Sequence, residues 1–95
     1  MNSEEIYLSY LLSPVASNIK KLADEILDRH EYEGSIIFHE YPDKNALLKI
    51  IESIYESPKY PSDETLRDLT EAIFYYEMFK RRARYFNILH NLDPK

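Results

Sequence analysis

The chain has 95 residues, a single glycine, no cysteine and a net charge of −5. That length makes one domain. The missing cysteines exclude disulfides and thiolate metal sites and point to a reducing compartment, while the acidic balance argues against a general nucleic-acid binder.

The chain starts Met1-Asn2-Ser3-Glu4-Glu5. This start is acidic and lacks the basic region and apolar stretch of a signal peptide. No apolar run approaches the ~20 residues that a transmembrane helix needs. The expectation is a cytoplasmic protein. Ser3 suits the cap of a short helix over about 4–12, with Ile6, Tyr7, Tyr10 and Leu11 on one side. A helix of that length must dock to persist.

The clearest element follows, over about 14–30. Ser13 suits the cap and Pro14 the first helical position, where a missing N–H costs nothing. Val15, Ile19, Leu22, Ala23, Ile26 and Leu27 trace one helical face. Lys20, Lys21, Asp24, Glu25 and Asp28 fall outside it and read as a solvated side.

Residues 31–42 form a joint. The tripeptide His-Glu-Tyr occurs at 30–32 and again at 39–41, with Gly34 between the copies. Two histidines among carboxylates suggest a metal or acid–base site. Their nine-residue spacing argues otherwise, because it puts the rings on opposite faces of either a helix or a strand. His30 reads instead as a cation near a helix C-terminus. Gly34 suits a positive φ, and Ile36, Ile37 and Phe38 are apolar enough to plug the core.

A second helix spans about 44–56, capped by Asp43 after Pro42. Leu47, Leu48, Ile50, Ile51, Ile54 and Tyr55 give it a broad apolar face, so it is expected to be the most buried helix. It stops at Ser57-Pro58, since a residue before proline avoids the α region. The loop 57–62 carries two prolines.

A long helix is predicted over about 63–91, capped by Ser62, with Asp63 and Glu64 in its first turn. Its apolar stripe reads Leu66, Leu69, Ile73, Tyr76, Phe79, Ala83, Phe86 and His90. About 28 residues at 1.5 Å each give a rod of about 42 Å, too long for two helices of half that length to cover. Either the N-terminal segment packs along the far half, or the same halves of two chains pair across a two-fold axis. Exposed apolar area on that scale is uncommon in a soluble monomer, and a homodimer through this helix is expected.

The segment 75–86 interleaves aromatics with four cations, Lys80, Arg81, Arg82 and Arg84. Residues 80–95 hold five basic and one acidic side chain, against seven and sixteen in 1–79. Such a mixture docks an acidic protein partner or stacks single-stranded nucleic acid. Core or dimer packing explains the aromatics equally well. Three grouped cations, with Arg82 pointing elsewhere, make a weak nucleic-acid footprint. The candidate interaction surface is Tyr75, Phe79, Lys80, Arg81, Arg84, Tyr85, Phe86 and Leu89. No catalytic residue, metal or cofactor is expected, because no HExxH, G-x-S-x-G or glycine-rich phosphate loop is present.

The block Tyr32-Glu33-Gly34-Ser35, followed by Glu40-Tyr41-Pro42-Asp43 and a Leu-rich helix, resembles a pattern in small uncharacterised bacterial proteins. There it joins two helices. The resemblance covers about 15 residues, implies a small bacterial helical protein, and carries over no activity, ligand or catalytic residue. Residues and resemblance lead to one reading. It is an all-α fold, a small three- to four-helix bundle with a long C-terminal helix, acting as a non-enzymatic interaction or regulatory module. The alternative is a nucleic-acid-associated protein using 75–86.

Overall fold

The computed structural model describes residues 14–61 and 63–92, with side chains through 88. It is all-α. Three helices, α1 (Pro14–Asp28), α2 (Lys44–Tyr55) and α3 (Arg67–Leu92), are joined by two connections, each with one 3-10 turn. No strand occurs among the described residues. The short helix expected over 4–12 and the caps expected at Ser13 and Ser62 lie outside them.

The sequence dictates α1 closely. Ile19, Leu22, Ala23 and Leu27 are buried as the apolar spacing requires. Ala16 joins them, whereas Val15 is exposed and Ile26 half-buried. Five of its residues are buried, against Leu47, Ile51 and Ile54 in α2. The expectation that α2 is the most buried helix is therefore corrected. α1 is central and packs against both neighbours, while α2 lies on one flank and turns Leu48, Ile50 and Tyr55 only half inward.

The helices run up, down and up. Asn18 Nδ2 donates to the Lys59 carbonyl at 2.9 Å, and farther along Asp24 meets Arg81 and Glu31 meets Arg84. α1 and α3 are thus parallel, with α2 returning between them in sequence. The result is flat, 50 × 33 × 18 Å.

The joint between α1 and α2 is built as a plug. His30 closes α1 by placing Nδ1 3.0 Å from the Ile26 carbonyl, and its backbone N–H bonds Leu27 O at 2.9 Å. Gly34 adopts φ +85, the left-handed region expected of it. Ser35, buried, then accepts from Ile37 N and starts a 3-10 turn over Ile36–Phe38. Ile37 is fully buried, and Ile36 and Phe38 pack against the core. Asp43 caps α2 through Ala46 N at 3.0 Å.

Asp63 starts the long helix. Its carboxylate accepts from Thr65 N at 3.0 Å and Thr65 Oγ1 at 2.6 Å. These two bonds hold the carboxyl below its ordinary value. The turn Glu64–Leu66 is 3-10, and α3 proper spans 26 residues from Arg67. Thr70 is buried and donates to the Leu66 carbonyl at 2.9 Å, so the Tyr60 hydroxyl, 2.7 Å away, donates to Thr70. That chain of hydroxyls fastens the proline loop to the first turn of α3.

Candidate interaction surface

α3 carries two helical stripes. One is Thr70, Phe74, Glu77, Met78 and Arg81, and it is buried. The other is the aromatic stripe read from the sequence, which turns outward: Leu69 is 38% exposed, Tyr76 47%, Phe79 59% and Phe86 40%. Leu66 and Ile73 are half-buried and Ala83 is exposed. By their spacing these aromatics suit either a core or an interface. The structure removes the core option for Tyr76, Phe79 and Phe86.

The mixed stripe is chosen because each of its members finds a complement. Phe74 and Met78 complete the cluster formed by Leu22, Ala23, Leu27, Ile37, Leu47, Ile51 and Ile54. Glu77, 3% exposed, and Arg81, 9% exposed, meet charges on α1. Arg81 Nη2 lies 2.7 Å from Asp28 Oδ1, and Nη1 lies 3.3 Å from Asp24 Oδ1 and 3.8 Å from Glu77 Oε2. Its Nε is 2.8 Å from Glu31 Oε1 but lacks the alignment of a hydrogen bond, so that contact is one of charge. Lys20 Nζ pairs with Asp24 at 2.9 Å and approaches Glu77 at 3.6 Å; Lys80 Nζ reaches Glu77 at 3.1 Å. Burial works against the charge of Arg81, but the bonds and charges of Asp28 and Asp24 outweigh it and raise the guanidinium above its ordinary value. The Asp24 hydrogen bond likewise raises Lys20. A cleft of about 280 Å³ opens over this network, lined by Asp24, Asp28, Glu77, Lys80, Arg81 and Arg84.

The proposed surface residues therefore divide. Arg81 faces inward and is not part of the outer surface, because four carboxylates surround it. Tyr85 is half-buried and stacks on Phe38, centroids 4.0 Å apart and planes at 13°. Tyr75 is half-buried beside Phe74. Arg84 is exposed, with Nη2 2.8 Å from Glu31 Oε1. Lys80 sits 5.1 Å from the Tyr76 ring centre. Phe79 and Phe86 remain on the outside with Tyr76, while the Leu89 side chain lies outside the described residues.

Arg82, which the sequence only sent elsewhere, has a defined task. Its Nη1 donates to the carbonyls of Ile37 at 2.8 Å and His39 at 2.6 Å, clasping the joint onto α3. The signal available for the Arg81 network was the column Lys20, Asp24, Asp28 on α1, set at the same four-residue step as Glu77 and Arg81 on α3. Nothing in the sequence announced the Arg82 clasp, since its acceptors are backbone atoms.

The two histidines of the joint are not brought together: His30 Nδ1 faces the Ile26 carbonyl, and His39 Nε2 lies 3.3 Å from the Gly34 carbonyl. Among the described residues no group of three or more His, Asp or Glu side chains is placed to hold a metal ion. No described helix is long and apolar enough to cross a membrane. Comparison of the chain with protein-family models, curated proteins and solved structures finds no match in any of the three, so the functional reading rests on this geometry.

Proposed function

We propose that the chain is a small cytoplasmic, non-enzymatic interaction or regulatory module that works as a homodimer through the outer face of α3. The observation that carries this reading is the aromatic stripe Tyr76, Phe79 and Phe86, which no described element of the fold covers. Water-exposed aromatics spaced along one side of a helix favour burial against another surface, at roughly 25 cal/mol per Å² of apolar area removed from water. The alternative, a nucleic-acid-associated protein, is less favoured. Of the four cations at 80–84, Arg81 is buried among carboxylates, Arg82 holds two carbonyls, and Lys80 and Arg84 each meet a glutamate. Few positive charges remain to meet phosphates.

Sedimentation at about 100 µM should give a dimer, with Phe79→Asp and Phe86→Asp shifting it to monomer at unchanged helical content. A wild-type monomer at that concentration refutes the reading. Salt-sensitive binding of single-stranded RNA that is lost on reversing the charge of Arg84 would favour the alternative instead.

A further inference from the structure

The outer face of α3 has a finer order than a patch. Leu69, Ala72, Tyr76, Phe79, Ala83 and Phe86 follow one another at steps of 3, 4, 3, 4 and 3. All six are exposed. This is the spacing of a coiled-coil seam, two positions per seven residues. It lies opposite the buried stripe Thr70, Phe74, Glu77, Met78 and Arg81. The seam is also a size palindrome about the point between Glu77 and Met78. Tyr76 mirrors Phe79, Ala72 mirrors Ala83, and Leu69 mirrors Phe86.

We infer that the occupant of this seam is α3 of a second copy, running antiparallel, with Tyr76 of each copy facing the partner's Phe79. The inference rests on the homodimer reading above and adds its direction and register. The sizes permit either direction: an antiparallel pair matches large to large and small to small through the palindrome, and a parallel pair does so by identity. Charge separates the two. Residues 63–71 carry Asp63, Glu64, Asp68 and Glu71 against the single cation Arg67, whereas 80–92 carry no carboxylate and, with Arg81 turned inward onto the carboxylates of α1, keep Lys80, Arg82 and Arg84 on the outer sides. Beside the seam stand exposed Asp68 at one end and half-buried Lys80 and Arg82 at the other. A parallel pair sets acidic third against acidic third and basic third against basic third. An antiparallel pair sets each basic third beside the other copy's acidic third, which fixes the direction by avoiding like charges. The two small layers, Ala72 facing Ala83, let the helices approach closely on both sides of the aromatic centre.

The absence of native cysteine makes a direct test available. Ala72→Cys and Ala83→Cys are made in the full chain and oxidised separately and as a mixture. Antiparallel pairing predicts a disulfide-linked dimer as the main product of the mixture only. Two copies of position 72 would stand about 16 Å apart along the axis, beyond disulfide reach. Efficient cross-linking of each variant with itself overturns the antiparallel arrangement and leaves the homodimer standing. No cross-link in any sample, with a wild-type monomer by sedimentation, overturns both. No cross-link with a dimer that survives Phe79→Asp also overturns both, since the contact then lies on another face.

Discussion

Arg81 and Arg84 share the carboxylate of Glu31, both at 2.8 Å, yet they differ in what surrounds them. The Arg81 guanidinium is almost fully enclosed, and its removal takes away the one cation that Asp24, Asp28, Glu31 and Glu77 all meet, leaving Asp24 and Glu77 to Lys20 and Lys80. The Arg84 guanidinium stands in water, where an ion pair contributes little. Arg81→Ala should therefore cost about 3 kcal/mol and Arg84→Ala under ~0.5 kcal/mol, read as shifts of the urea midpoint. Equal losses for the two would mean that the network is not buried in solution. Arg81→Lys is not a rescue, because an ammonium cannot face Asp24, Asp28 and Glu31 from three nitrogens at once.

At the scale of elements, the joint depends on α3 as much as on its own turns. The amides of Phe38 and His39 bond back to Ser35 and Ile36, and Arg82 holds the carbonyls of Ile37 and His39 from outside. Arg82→Ala removes two bonds from a charged donor, an expected loss of about 2 kcal/mol. Hydrogen exchange should quicken at Phe38 and His39 while the interior of α1 stays protected; uniform quickening would show that the clasp is not local. The same element shows how far the sequence could be read. Gly34, Ser35 and the apolar triplet specify a plug by their own chemistry, and the structure has that plug. The apolar face of α1 was legible from Ile19 to Leu27, but Lys20 and Asp24, expected in solvent, turn half-buried toward Glu77 and Arg81. The buried face of α3 was not legible, because it has two stripes, and apolarity alone selects the outer one. The choice between them is made by Lys20, Asp24 and Asp28 across the interface, which a reading of one helix at a time does not weigh. The fastening of Arg82 to backbone oxygens leaves no residue-type signal at all.

On the alkaline side the molecule's pH behaviour comes from three groups that titrate late. Burial raises Tyr55 and Tyr75 above the ordinary tyrosine value of 10.0, with the charge of Glu71 adding to the effect, and the Asp24 hydrogen bond raises Lys20 above 10.5. In each case the folded protein holds its proton more tightly than the unfolded chain. Stability from these groups is complete below the ordinary values and is lost as pH rises through the folded ones. The melting temperature should accordingly fall from about pH 10 upward, and a transition unchanged between about pH 9 and 11 would contradict it. The flat shape also belongs at this scale. With α1 in the middle and α2 to one side, no described element is left to cover the far side of α3.

The clasp and the charge network share a property of time. Arg82 reaches back 43 and 45 residues, and Arg81 reaches back 53 to Asp28 and 57 to Asp24. On a ribosome, α1, the joint and α2 emerge before either arginine exists. Until residue 82 has left the exit tunnel, Asp24 and Asp28 lack their buried cation and the joint lacks its fastening. Contacts of such long sequence separation are completed only after their loops close. A nascent chain is thus expected to lack these fastenings until its long helix has been made, so that the fold locks from α3 rather than from α1.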